Sequence, residues 1–86
     1  MDNIKKPVSV IFYFNHKTRS AKPYKVLLND TPYLIKKIGL HYKTKVGNDL
    51  MHIFTVNTES LFLKLIFNTS NLSWHVESIK DAILDI

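Results

Sequence analysis

The chain has 86 residues, a net charge of +5 and no cysteine, which indicates one small domain and excludes disulfides and thiolate metal sites. No apolar stretch has the length of a signal-peptide core or a membrane span, so we expect a cytoplasmic protein with no membrane partner. The positive charge is uneven, because residues 5–45 hold ten Lys and Arg against one Asp, whereas residues 46–86 hold two Lys against five acids.

The first half of the chain shows the two-residue period of β-strands. Alternation predicts strands over residues 8–15 and 23–28, separated by a polar, basic loop over residues 16–23 with no periodicity. A third strand over residues 33–46 follows a turn that would place Val26 opposite Ile35. The apolar period slips in this strand, so we expect a β-bulge at Lys36 and Lys37 or a break at Gly39.

Three hairpins are predicted from residue 33 to residue 78, with further strands over residues 50–57, 61–67 and 72–78. A three-residue turn at Gly47, Asn48 and Asp49 would place Val46 opposite Leu50 and continue the apolar face. That face is the predicted core, and it consists of Leu40, Tyr42, Phe54, Val56, Leu63, Leu65, Trp74 and Val76.

The C-terminus changes to a helical period, because Ile79, Ala82, Ile83 and Ile86 recur at three- and four-residue spacing. Ser78 suits the N-cap of a short helix over residues 79–86. Residues 1–86 are therefore predicted to form a single small all-β domain, mostly antiparallel. The expected arrangement is a meander of about six strands, either strongly curved or closed as a small barrel, with a short C-terminal helix.

No catalytic, metal or cofactor site is predicted. The four histidines, His16, His41, His52 and His75, lack the spacing of metal ligands. We expect His52 to be a hydrogen-bonded histidine at the edge of the core, and His41 and His75 to share the opposite face. The acids fall in turns or near the C-terminus, and two glycines do not make a phosphate-binding loop. The composition thus favours a binding module over an enzyme.

The basic segment suggests nucleic acid as a partner. Small β-domains bind single strands by combining a basic groove with stacking aromatics. The candidate groove residues are Lys17, Arg19, Lys22, Lys25, Lys36, Lys37, Lys43 and Lys45. Tyr13 and Phe62 are predicted to face outward, whereas Tyr24, Tyr33 and Tyr42 fall on the predicted core face. Eleven lysines against one arginine weaken this hypothesis, because the planar guanidinium of arginine binds phosphates and bases bidentately and lysine does not.

A competing hypothesis starts from the second face of the sheet, which is less polar than a solvated face should be. It predicts contact with a second copy of the chain or with another protein. The candidate interface residues are Leu27, Leu34, Met51, Ile53, Phe62 and Ile66. Phosphate binding weakens steeply as salt rises and apolar association does not, so salt dependence separates the two hypotheses.

Five short patterns span residues 22–79, namely K-P-Y-K-V-x-x-N, P-Y-x-I-x-x-I, H-x-F-x-V, L-x-L-x-F and L-x-W-x-V-E-x-I. In their order they resemble a small β-domain of bacterial genomes whose function is not known. The matching positions are core and turn residues, so the resemblance implies a fold and no catalytic residue. The basic stretch from His16 to Arg19 lies outside it.

Overall fold

The computed structural model describes residues 5–81, and these residues form antiparallel strands in two sheets. The strands are β1 (Lys6–Pro7), β2 (Ser9–Asn15), β3 (Ser20–Leu28), β4 (Thr31–Leu34), β5 (Lys37–Val46), β6 (Asp49–Asn57), β7 (Leu61–Asn68) and β8 (Ser73–Asp81). The larger sheet has the order β1-β8-β7-β6-β5 and the smaller has the order β2-β3-β4. The all-β antiparallel class is confirmed for these residues.

Two parts of the predicted architecture are wrong. Residues 5–81 form eight strands rather than about six, and their two sheets are not a closed barrel. The predicted helix over residues 79–86 begins inside β8, where Ile79 pairs with Leu63 and Asp81 pairs with Leu61. Ile79 packs on the core, which stabilises the strand over a helix of two turns. Residues 82–86 lie outside the described residues. The described part contains no helix that is long and apolar enough to cross a membrane.

The chain passes between the two sheets at two points. Val8 follows β1 and donates its N–H to the carbonyl of Trp74 at 3.2 Å, and β2 then joins the smaller sheet. Ile35 donates to the carbonyl of Tyr24 at 2.9 Å, whereas the next residue, Lys36, donates to the carbonyl of Asn57 at 2.7 Å. The segment between β4 and β5 is therefore anchored to both sheets. Ile35 binds the smaller sheet, and the next residue, Lys36, binds the larger one.

Turn length sets the pairing of the hairpins. Asn29 and Asp30 alone join β3 to β4, and their φ angles of 51° and 66° are those of a type I′ turn. The β2–β3 connection covers only residues 16–19, because Asn15 pairs with Ser20. The predicted loop over residues 16–23 is therefore wrong for residues 20–23, whose strand conformation follows from pairing with β2.

The register of β5 differs from the prediction by one residue. Gly47, with φ 64°, and Asn48 form a two-residue turn, so Val46 pairs with Asp49 rather than Leu50. A positive φ at the first turn residue alone is the feature of type II′ hairpins. Because side chains alternate between faces, this shift turns Leu40 and Tyr42 toward solvent. They are 61% and 44% exposed, and their assignment to the core is wrong.

A β-bulge at Gly39 separates the two halves of β5, which confirms one of the two predicted irregularities. Ile38 pairs with Val56 and Leu40 pairs with Thr55, which leaves Gly39 unpaired between them. The Leu40 N–H donates to Thr55 Oγ1 at 2.8 Å. A Cβ on residue 39 would lie 2.9 Å from the same oxygen, so the close approach requires glycine.

The core lies between the two sheets. Val26 and Leu28 of β3 pack on a buried cluster of the larger sheet, which consists of Phe54, Val56, Leu63, Leu65 and Val76. All five of these residues were predicted in the core. Trp74 packs against the cluster while half-buried, and its ring centroid is 4.7 Å from that of Phe67. The sheets thus hold together through apolar burial, the main favourable contribution in folding.

Two leucine substitutions test the register of β5. We expect Leu65→Ala to lower the free energy of unfolding by about 2–5 kcal/mol, because it leaves a cavity in a fully buried site. The matched change Leu40→Ala removes the same atoms from an exposed site and is expected to cost about 0.5 kcal/mol or less. Urea denaturation followed by Trp74 fluorescence measures both. Equal losses would show that Leu40 packs in the core.

Candidate functional site

The two sheets leave a cleft between β3 and β5. Among the described residues, β5 pairs with β6 only, and residues 20–23 of β3 pair with β2 only. Both strands therefore present one unpaired edge. Two cavities follow one another along this cleft, the first beside residues 19–21 and the second beside residues 22–24.

The first cavity, called here the aromatic cavity, has a volume of about 370 Å³, within the range of roughly 300–1,000 Å³ for small-molecule sites. It is lined by Phe12, Arg19, Ser20, Ala21, His41, His52, Phe54 and Phe67. Phe12 packs on three neighbouring aromatic rings, those of Phe54, Phe67 and Trp74. The walls are thus mostly planar rings, and Arg19 supplies a cation at the edge.

Two histidines lie side by side in this cavity. His41 Nε2 is 2.8 Å from His52 Nδ1, a hydrogen-bond distance. The ring centroids are 5.1 Å apart with 29° between the planes, so the rings meet edge to edge rather than one above the other. The His41 ring is nearly parallel to that of Phe54, at 4.1 Å and 12°. The prediction that His41 lies on the outer face is wrong, because the shifted register of β5 places it opposite Phe54.

The surroundings of His52 favour its neutral form. The pKa of His52 is lowered from its usual 6.5 by burial, then by the nearby charge of His41 and then by Lys43. Lys43 is the cross-strand partner of His52. A bond between two imidazoles needs one nitrogen without a proton, so a neutral His52 preserves it. The expected hydrogen-bonded histidine is therefore present, with His41 as its partner.

The second cavity, called here the lysine cavity, has a volume of about 440 Å³. It is lined by Lys22, Pro23, Tyr24, Ile35, Lys36, Lys37 and Ile38. Tyr24 is 51% exposed, so its predicted place on the core face is wrong. The reason is an irregularity in β3, where Ile11 pairs with Lys25 but Phe12 pairs with Pro23. Tyr24 is the extra residue there, and bulges of this kind redirect side chains.

The structure brings together five of the eight predicted groove residues. Lys22, Lys36 and Lys37 line the lysine cavity, and Arg19 lines the aromatic cavity. Lys43 lies beside His52. The other three are dispersed: Lys17 is in the β2–β3 turn, Lys45 is further along β5, and Lys25 pairs with Ile11 and Leu34. Within residues 5–81, neither cavity is lined by Asp or Glu.

The six predicted interface residues do not form one surface. Leu27 and Leu34 lie exposed on the smaller sheet. Met51, Ile53 and Ile66 line a groove on the larger sheet, where Ile53 and Ile66 are buried by their neighbours. Phe62 is half-buried and pairs with Asn57 and Lys80. Only Leu27 and Leu34 have the exposure that an interface requires.

Sequence patterns missed the histidine pair and the exposure of Tyr24. The pair depends on the register of β5, and a G-N turn read as two residues would have placed His41 opposite Phe54. Pro23 is the local signal beside Tyr24, because proline inside a strand is confined to edges and bulges. No group of three or more metal-ligating side chains lies close together in residues 5–81.

The lowered pKa of His52 leads to a prediction about pH. The unfolded chain takes up this proton first as pH falls, so the free energy of unfolding should decrease below about 6.5. His75 adds to the effect, because burial and Lys5 lower its pKa more than Glu77 raises it. Denaturation curves at pH 7.5 and 5.0 should differ less for His52→Gln than for the natural chain. His16→Gln, in an exposed turn, is the control. An unchanged pH dependence in His52→Gln would contradict the prediction.

No family model, curated protein or solved structure matches this chain. The resemblance of residues 22–79 to a bacterial β-domain therefore stays a prediction.

Proposed function

We propose that the protein binds single-stranded nucleic acid along the cleft between β3 and β5. The observation that supports this most is the meeting of Lys22, Lys36 and Lys37 around the exposed ring of Tyr24. Arg19 and Lys43 continue the positive charge beside the next cavity. Grooves for single strands combine cations along the backbone with rings that stack on bases.

The size of the cleft suits several nucleotides. Lys37 and Lys43 are six residues apart on β5, which corresponds to about 20 Å at roughly 3.3 Å per strand residue. A stacked strand advances about 3.4 Å per nucleotide, so about six nucleotides fit along this distance. Single β-domains of this kind bind about 4–16 nucleotides.

The position of the aromatic rings favours single strands over duplexes. Phe12 and Phe67 line a cavity between two sheets, and a ring in such a place contacts only a base that has left its stack. Duplex DNA holds its bases paired and stacked, and extruding one costs a few kcal/mol. The lysines of the cleft would neutralise the phosphate backbone through their positive charge, which needs no bidentate base contacts.

A pair of double variants tests the lysine cavity. We expect Lys36→Gln with Lys37→Gln to weaken binding of a labelled ten-nucleotide single strand. The slope of log affinity against log salt should fall by about 1.4, because each phosphate contact contributes about 0.7. Fluorescence anisotropy between 50 and 200 mM salt, about the range over which such contacts are lost, provides the measurement.

The matched control is Lys64→Gln with Lys80→Gln, which removes the same net charge. Lys64 pairs with Glu77 at 3.2 Å, and Lys80 lies at the far end of β8. The control should keep the natural slope. Equal slopes in both double variants would show that the chain responds to net charge alone, and the cleft would not be the site.

A second function is supported by a different surface. Ile11, Tyr13, Leu27 and Leu34 are all at least 40% exposed on the outer face of the smaller sheet. We propose as the alternative that this face joins two copies of the chain, because large exposed apolar patches usually mark association surfaces.

Sedimentation at low and high salt tests the alternative. A dimer that persists at high salt and dissociates in Leu27→Glu with Leu34→Glu would support it. Lys64→Glu with Lys80→Glu, which places two acids on the larger sheet, is the control and should leave the dimer intact. A natural chain that stays monomeric at both salt concentrations would contradict association through this face.

A further inference from the structure

The histidine pair has the shape of a flat plate. His41 and His52 meet edge to edge through a 2.8 Å hydrogen bond, and each ring lies within 19° of the plane of Phe54. Phe54 itself is fully buried. The His41 ring is thus supported by a fixed ring at 4.1 Å, and the hydrogen bond holds the His52 ring beside it with 29° between the two planes.

The plate is open to a ligand. His41 is exposed and His52 is half-buried, and both line the aromatic cavity together with Phe12 and residues 19–21. The cavity therefore has a planar wall that a flat ring can cover. A structural role alone would be served by one histidine at the core edge, whereas two hydrogen-bonded rings side by side create a wider stacking surface.

We infer that the paired rings of His41 and His52 form a stacking platform that receives one unpaired nucleobase in the aromatic cavity. This inference rests on the proposed function and specifies what the cleft recognises at one position. Arg19 lies at the same cavity, where its guanidinium can bind the phosphate of the inserted nucleotide. Every nucleobase has a π-face, so such a platform binds bases with little sequence preference.

The experiment compares two oligonucleotides of identical charge. One is a ten-residue thymidine strand, and the other has the same backbone with abasic sites at all ten positions. Fluorescence anisotropy gives the affinity of the natural chain for each. We expect the thymidine strand to bind at least about five-fold more tightly, which is the lower end of the effect of one base–aromatic stack.

Three variants test whether the histidine platform causes the preference for the thymidine strand. His41→Ala should reduce this preference by at least about five-fold, whereas His41→Phe keeps a ring on Phe54 and should retain most of it. Tyr24→Ala removes the exposed ring of the lysine cavity and should lower the preference without abolishing it, because the platform remains. His16→Ala is the control. Far-ultraviolet circular dichroism verifies that each variant keeps its strands.

The outcomes separate the inference from the proposed function. Equal affinity for both strands, with the salt slope retained, would overturn the platform and leave phosphate binding in the cleft. Loss of the preference in Tyr24→Ala would assign the base to Tyr24 and also overturn the platform, even if His41→Ala does not fold. Absence of binding to either strand would overturn both proposals.

Discussion

The register of β5 against β6 is the constraint on which the candidate site depends. A two-residue turn at Gly47 and Asn48 determines that His41, rather than Tyr42, lies opposite Phe54. Had the turn contained one more residue, every side chain from Leu40 to Val46 would face the other way. The histidine pair would then be separated by the sheet, and the aromatic cavity would lose half of its planar wall.

The open cleft follows from how the two sheets are connected. Ile35 and Lys36 bind one sheet each, so the chain leaves the smaller sheet and enters the larger one within two residues. In the described residues, residues 20–23 of β3 and the whole of β5 each keep one unpaired edge. Exposed edges favour pairing with other chains, and lysines along an edge oppose that pairing. The lysines at the cleft thus oppose pairing of these edges with other chains.

The two surfaces that carry proposals differ in chemistry and lie on different parts of the fold. The cleft combines cations with rings that face the space between the sheets, which suits a thin, flexible, negatively charged chain. The outer face of the smaller sheet exposes Ile11, Tyr13, Leu27 and Leu34 around Lys25, and such a face suits a flat apolar partner. Salt therefore affects the two kinds of binding differently.

The all-β antiparallel class and much of the core follow from the sequence alone, because a two-residue period assigns Phe54, Val56, Leu63, Leu65 and Val76 to one face whatever their exact partners are. The sequence also identified the cations, five of which the structure brings to the cleft. The tertiary structure alone decided the division into two sheets, the continuation of β8 to Asp81 and the exposure of Tyr24. These depend on pairing between distant residues and on local irregularities that alternation does not encode. The histidine pair also depends on tertiary structure. Alternation specifies only that neighbouring residues face opposite ways, and turn length and cross-strand packing decide which of them faces the core.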